Sequence, residues 1–272
     1  MRKKFVAIII VVCMVISIVP SSFYATESLE PIQDDKMQYA SSKYEILYDD
    51  DDMVSYLKEK YSEYSSVSVS SVSSESPLNT YNYSQTSLNS YYNANNNEYY
   101  DNGINGTCTQ VAISIMTEYM KRKKEITPYV TCNTIHDIFA NVITASHACL
   151  WDGNGTPRNM TVNIVDSNFY YYSPYYYGDY SWLFMESKIQ DSLADGIPVV
   201  VHLDGHTVTG VGFVKKKVTY KKKNIWGVMT TYTQEETFLI INNGWYNTST
   251  NSSKTYSYVH FDDVLSIVVS KG

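Results

Sequence analysis

The sequence has no surplus of positive charge and only one long apolar run. Lysine and arginine together number 21 against 28 aspartates and glutamates, which gives a net charge of −7. Nucleic-acid phosphates require a concentrated positive surface, so this composition argues against a nucleic-acid partner. The apolar run covers residues 5–19 and is shorter than the ~20 residues that a membrane-spanning helix needs. We therefore expect no stable membrane span once this run is removed.

The N-terminus has the layout of a secretory signal peptide. A cationic start at residues 1–4 precedes the apolar run, and proline, serine and alanine follow it as far as Ala25. This order is typical of leaders, so we assign residues 1–25 to a signal peptide and expect a secreted or cell-surface protein. Phe23 stands where a small residue is expected two positions before Ala25, which leaves an uncleaved anchor as the alternative.

Cysteine is scarce, and the number left after the leader is odd. Cys13 lies in the leader, and Cys108, Cys132 and Cys149 remain. An exported chain with an odd count keeps at least one thiol free, and that thiol is a candidate nucleophile. The alternative is that all of them are small buried hydrophobes. No cysteine or histidine cluster has the spacing of a zinc site, so we expect no metal and no cofactor.

The amino-acid composition of the chain changes near residue 98. Residues 26–97 are rich in serine, tyrosine, asparagine and aspartate, so we interpret them as a low-complexity linker or a propeptide that builds no core. Within them, residues 53–61 have helical spacing of apolar residues. Residues 67–76 alternate serine with valine, which indicates either an edge strand or a linker, and we favour the linker.

Residues 98–272 are predicted to form one α+β domain, because helical patterns come first and strand patterns follow. Apolar spacing predicts helices near residues 111–120, 134–146 and 182–193, with a tyrosine-dense loop at 170–180. Strands are predicted at residues 199–203, 206–214, 228–233, 237–242, 257–261 and 265–269.

The first chemical motif is Gly106-Thr-Cys108 before an apolar helix. A thiol at a helix N-terminus has its pKa lowered by unpaired amides and by the positive end of the dipole. Gly106 allows a tight turn and leaves room for a substrate carbonyl beside the Cys108 amide. Simple helix packing is the alternative explanation of this motif.

Two further motifs lie in the strand region. Gly205-His206 opens a strand of small and β-branched residues, which suits a rigidly held general base, although a core or surface histidine fits equally. Asn243-Gly-Trp245 closes an apolar strand. An amide there can fix the tautomer of a histidine, and an indole can shield the contact from water. An Asn-Gly turn is the alternative.

Together these motifs, in the order Cys, His, Asn, resemble the papain-like cysteine peptidases. They look most like the compact bacterial branch, which includes streptopain-like, staphopain-like and bacteriocin-leader-processing peptidases. The resemblance covers residues 91–271. It implies a helical half with a buried nucleophile helix, packed on an antiparallel β-sheet half.

Carried over residue by residue, the resemblance implies that Cys108 is the nucleophile, His206 the base and Asn243 the orienting residue, with Trp245 as a shield. Its partners would be a peptide or protein substrate and an intramolecular propeptide.

The chain departs from the family pattern around the nucleophile. The oxyanion glutamine usual six residues before the cysteine is Asn102 here, and an aromatic after the cysteine is replaced by Thr109. Gln85 and Gln110 are the less favoured substitutes for the oxyanion donor. The interval between His206 and Asn243 also holds a lysine-rich segment, residues 215–223, which we interpret as a protruding hairpin.

Other assignments stay open beside this one. Asp262 is the reserve third residue, and His202 is not expected to form a metal pair with His206 because a turn separates them. A cell-wall amidase or another thiol acyl hydrolase or transferase would use the same chemistry. A binding or adhesion module that keeps the fold without turnover is the third alternative.

Overall fold

The structure, a computed structural model, describes residues 44–96, 99–100, 102–123, 133–172, 176–244 and 256–271, with the backbone alone for residues 170–172. Residues 41–272 form one packing unit. The signal-peptide assignment, Cys132 and Trp245 lie outside the described residues.

A single antiparallel sheet organises the described residues. Its strands are β1 (Ser65–Ser74), β2 (Tyr177–Ser181), β3 (Val199–Leu203), β4 (His206–Lys223), β5 (Met229–Asn242), β6 (Ser257–His260) and β7 (Ser266–Lys271). The order is β2-β7-β3-β4-β5-β6, and β1 pairs with β4. The long strand β4 has β3 beside its first half and β1 beside its second half on one edge, and β5 pairs along its other edge.

Six helices surround this sheet in the described part of the chain. They are α1 (Asp50–Lys60), α2 (Gln85–Asn95), α3 (Cys108–Arg122), α4 (Ile135–Ala148), α5 (Arg158–Tyr172) and α6 (Met185–Ala194). The helix α3 is buried along almost its whole length, because its apolar face packs on α4, α5 and the sheet. None of the described helices is both long and apolar enough to span a membrane. The mixed α and β composition and the antiparallel sheet agree with the α+β prediction.

Residues 44–96 contribute to the core, so the prediction that this region builds none was wrong. Leu57 of α1 and Leu88 of α2 are 0% and 2% exposed. Leu57 packs against the β4 and β5 side chains, and β1 pairs along β4. Few apolar residues are needed here, because the segment covers an existing sheet face instead of forming a separate core. The edge-strand interpretation of residues 67–76 is therefore the better one.

Three other boundaries differ from the predictions. The tyrosine-dense region is not one loop, since α5 runs to Tyr172 and β2 begins at Tyr177. The helix predicted from residue 182 begins at Met185, after Phe184 takes a left-handed backbone with φ of 53°. The lysine-rich segment forms a hairpin with β5, as predicted, but it does not stand apart from the sheet, because β1 pairs along its other edge. Lys216 is 1% exposed, and its amine pairs with Asp50.

Candidate active site

Cys108 is the first residue of α3, as the helix-start motif predicted. The loop before it is tight, because Gly106 has a φ of 59° and a Cβ there would lie 2.7 Å from the main-chain nitrogen of Gly155. Only glycine tolerates this backbone and this close approach without strain. The N-cap residue Thr107 makes no side-chain capping bond, which leaves the first amides of α3 facing the region of the thiol.

The sulfur of Cys108 lies against β4. Burial raises the pKa of the thiol, and hydrogen bonds from the main chain and hydroxyl of Thr207, and from those of Thr109, oppose that rise. Thr109 supplies the donors of the helix start, and Thr207 supplies those of the strand. A thiolate formed here is therefore met by donors from both elements.

His206 is placed by a two-residue hairpin turn between β3 and β4. Leu203 pairs with His206 across the turn, and Gly205 in the turn has a φ of 73°. Thr207 follows His206, and both the main chain and the hydroxyl of Thr207 oppose the rise in the pKa of the Cys108 thiol. The strand start that holds the candidate base therefore abuts the helix start that holds the candidate nucleophile.

Asn243 lies beside His206, at the end of β5. The Nε2 atom of His206 is 3.1 Å from the main-chain oxygen of Asn243. Burial lowers the pKa of His206 to about 4, and the hydrogen bond to Asn243 opposes that shift. The side-chain amide of Asn243 donates to the Ser257 hydroxyl at 3.4 Å. The carbonyl accepts only from an N–H, so this contact places the proton of neutral His206 on Nε2 and leaves Nδ1 as the basic nitrogen.

The three candidate oxyanion donors occupy different places. Asn102 is exposed in the turn that precedes Gly103. Gln110 is fully buried, and its amide donates to Ser146 at 3.2 Å and to Thr156 at 3.0 Å. Gln85 begins α2 and lines a narrow gap, too tight to hold a water molecule, together with Cys108, Thr207, Val208, Asn242 and Gly244. Gln85 is thus the candidate glutamine that lies beside the thiol.

The N-terminal segment reaches this site. The main-chain nitrogen of Gln85 donates to the Gly244 oxygen at 2.9 Å, and the side chain of Asn242 donates to the Thr80 hydroxyl at 3.2 Å. Burial, followed by the nearby charges of Cys108 and Asp204, raises the pKa of Tyr44 to about 12. Residues from both ends of the 44–96 segment therefore help to form the surroundings of Cys108.

Sequence reasoning missed two side chains at the site, Thr207 and His202. Thr207 Oγ1 and His202 Nδ1 are 3.0 Å apart, and Thr207 lines the narrow gap beside Cys108. The available signal was the Leu203-Asp-Gly-His206 turn, since a two-residue loop places the next residues on either side, His202 and Thr207, directly opposite each other.

Asp262, the reserve third residue, belongs to a different cluster. Its carboxylate accepts from Lys60 at 2.8 Å and lies 3.5 Å from Nδ1 of His260. Glu236 completes the cluster, 2.7 Å from Nε2 of His260 and 3.0 Å from Lys60. Glu236, His260 and Asp262 are metal-ligand types close enough to share an ion. The Lys60 ammonium, however, already supplies positive charge to both carboxylates.

No protein-family model matches the chain, and no curated protein matches its sequence. The assignment of a function rests on the residues and their geometry.

Proposed function

We propose that this chain is a secreted cysteine peptidase with a papain-like Cys108-His206-Asn243 site and no cofactor. The observation that carries the proposal is that the thiol at the start of α3 lies beside the residue that follows His206, since Cys108 and Thr207 line the same narrow gap. This brings the thiol to the strand that begins with His206, and nucleophilic thiol catalysis needs a base within hydrogen-bond reach of the sulfur.

The proposed reaction begins with a neutral thiol and a neutral imidazole, since burial raises the pKa of Cys108 and lowers that of His206. His206 accepts the thiol proton at Nδ1 while the sulfur attacks the substrate carbonyl. The oxyanion is stabilised by the Cys108 amide and a side-chain amide. The His206 imidazolium then gives its proton to the leaving amine, and water hydrolyses the thioester in a second pass.

The Asn243 carbonyl has a defined part in this scheme. By holding the Nε2 proton of His206 it fixes the tautomer, and it stabilises the imidazolium that forms during the reaction. Trp245 is proposed to shield this contact from water. The signal peptide at residues 1–25 is proposed to direct export of the chain.

The proposal is tested by labelling the mature protein with an irreversible epoxide thiol inhibitor and mapping the modified peptide. Cys149 is the internal control, because it caps the C-terminal end of α4, where the helix dipole disfavours a thiolate, and burial raises its pKa. We expect the inhibitor to modify Cys108 and to abolish casein hydrolysis, and we expect Cys108→Ser to show neither labelling at residue 108 nor casein hydrolysis. Labelling of Cys149 at an equal rate contradicts the proposal.

The same experiment separates the alternatives. Turnover of purified peptidoglycan without turnover of casein favours a cell-wall amidase that uses the same three residues. A protein that neither labels at Cys108 nor turns over either substrate is a binding module that has kept the fold.

A further inference from the structure

We propose that His202 is a positioning residue for the Cys108 thiol and acts through the hydroxyl of Thr207. The inference rests on the proposed function only in that it takes Cys108 as the nucleophile. His202 itself does not touch the sulfur.

The hairpin register places His202 and Thr207 together. They are cross-strand partners on β3 and β4, one residue beyond the pair that flanks the turn. In a two-residue hairpin the flanking pair exchanges hydrogen bonds and the next pair does not, so the side chains of that next pair lie close. The 3.0 Å contact between Nδ1 and Oγ1 follows from this register.

Both side chains point toward α3. Thr207 Oγ1 is 3.0 Å from Thr109 Oγ1 in the first turn of that helix, and two residues along β4 the Thr209 hydroxyl donates to the Ala112 carbonyl at 3.2 Å. The Thr207 hydroxyl therefore lies between the Thr109 hydroxyl and the His202 imidazole, and it opposes the rise in the pKa of the neighbouring Cys108 thiol. Whether His202 Nδ1 donates to or accepts from the Thr207 hydroxyl therefore decides which neighbour the Thr207 proton faces.

The environment of His202 selects its neutral form. The ring is 1% exposed, and burial followed by the charge of Arg158 lowers its pKa to about 3. Its Nε2 atom is buried and has no hydrogen-bond partner among the described residues. In this inference the single ring proton is on Nδ1 and donates to Thr207 Oγ1, so the Thr207 proton cannot point to His202 and is left to the sulfur and to Thr109 Oγ1.

This arrangement has a clear consequence for the thiol. A hydroxyl that already accepts from His202 is a fixed donor to the thiolate, whereas an unheld hydroxyl would rotate among its neighbours. His202 does not take the thiol proton through the Thr207 hydroxyl, because the neutral ring keeps its own proton and gains no second one. His206 remains the proposed base, and His202 makes the thiolate easier to form.

The test is the pH dependence of iodoacetamide alkylation of Cys108, followed by mass spectrometry of the peptide that contains it, in the full mature chain. Thr207→Val removes the hydroxyl at nearly constant volume, and Thr207→Ser keeps it. His202→Leu removes the ring donor, and His202→Asn retains a donor near the Nδ1 position. The other charges that influence this region, Arg158, Tyr44, Asp204 and His206, are the same in all of these proteins.

We expect Thr207→Val to shift the alkylation midpoint upward and to slow the neutral-pH rate about tenfold or more, the effect of one hydrogen bond to a charged acceptor. His202→Leu should shift it in the same direction, and the Thr207→Val/His202→Leu double variant should match Thr207→Val alone, since His202 acts through that hydroxyl. Thr207→Ser and His202→Asn should restore much of the wild-type profile.

A wild-type alkylation profile in folded Thr207→Val or in folded His202→Leu overturns the inference, as do fully additive shifts in the double variant. If the leucine variant does not fold, His202→Gln replaces it, because its amide reaches the Nε2 position and leaves no donor at Nδ1. It should show the same upward shift, and a wild-type profile in folded His202→Gln overturns the inference. Alkylation does not require peptide hydrolysis, so the result stands even when casein is not cleaved. Absence of casein cleavage with shifted midpoints would count against the proposed function alone.

Discussion

The Nε2 atom of His206 lies 3.1 Å from the main-chain oxygen of Asn243, while the side-chain amide of Asn243 donates to Ser257. The part of Asn243 that holds the imidazole in this contact is therefore present in every amino acid. The side chain of residue 243 contributes a hydrogen bond to Ser257 of β6.

Replacing His206 by alanine should lower kcat/KM far more than replacing Asn243. Loss of a general base costs about 10²–10⁴-fold, whereas Asn243→Ala keeps the carbonyl, and we expect it to cost roughly tenfold or less. The measurement is steady-state hydrolysis of a peptide substrate. Ser257→Ala is the matched control, because it removes the partner of the Asn243 amide and leaves residue 243 unchanged. Equal losses in His206→Ala and Asn243→Ala would mean that the side chain orients the ring during turnover.

The oxyanion donor can be identified by comparing Gln85 with Asn102. Gln85 lines the narrow gap beside Cys108, whereas Asn102 is exposed. We expect Gln85→Ala to lower kcat by about 10²-fold with little change in KM, the usual cost of one oxyanion donor, and Asn102→Ala to cost much less. Gln85→Glu keeps the shape and removes the donor, so it should resemble the alanine variant. A larger loss in Asn102→Ala than in Gln85→Ala would restore the sequence-based assignment.

The sequence predicted local features of this site and missed those that depend on pairing. The helix start at Cys108 and the strand Val199–Leu203 could be predicted because apolar periodicity is local. The contact of His202 with Thr207 required the hairpin register, and the burial of Leu57 required the sheet face that it covers. Composition failed for residues 44–96, since a polar segment needs only a few apolar residues when another element supplies the rest of the core.

The burial of that segment can be tested with Leu57→Ala. Leu57 is 0% exposed between α1 and the sheet, so truncation should lower the free energy of unfolding by about 2–5 kcal/mol. Val72→Ala on β1 is the matched control, because Val72 is 47% exposed and should change stability little. Denaturant unfolding followed by tryptophan fluorescence measures both. A wild-type stability for Leu57→Ala would show that residues 44–96 are a detachable segment.

Two glycines near the site differ in what their substitution should do. Both Gly106 and Gly205 have a left-handed backbone, but a Cβ at Gly106 would meet Gly155, and one at Gly205 would meet nothing within 4 Å. Gly205→Ala should therefore cost only the backbone strain, about 1 kcal/mol. Gly106→Ala should cost more and also slow alkylation of Cys108, because the loop before α3 must move. Equal stability losses with unchanged alkylation would show that the loop adapts without displacing the thiol.

The cluster around Glu236 should make the free energy of unfolding fall as the pH is lowered into the acid range. Burial alone would raise the pKa of Glu236, but hydrogen bonds from His260, Tyr61 and Lys60 prevail and hold it at about 2, below its ordinary value of 4.5. A carboxylate whose folded pKa is lowered contributes stability that is complete above pH 4.5 and is lost as the pH falls toward 2. Glu236→Gln should thus lower the free energy of unfolding at neutral pH by about 1–3 kcal/mol and remove part of the acid dependence.

Glu235→Gln, at an exposed neighbouring position of β5, is the control and should keep the wild-type curve. Urea unfolding at a series of pH values from 7 down to about 2 measures this directly. An acid dependence in Glu236→Gln that is identical to wild type would place its origin in other carboxylates.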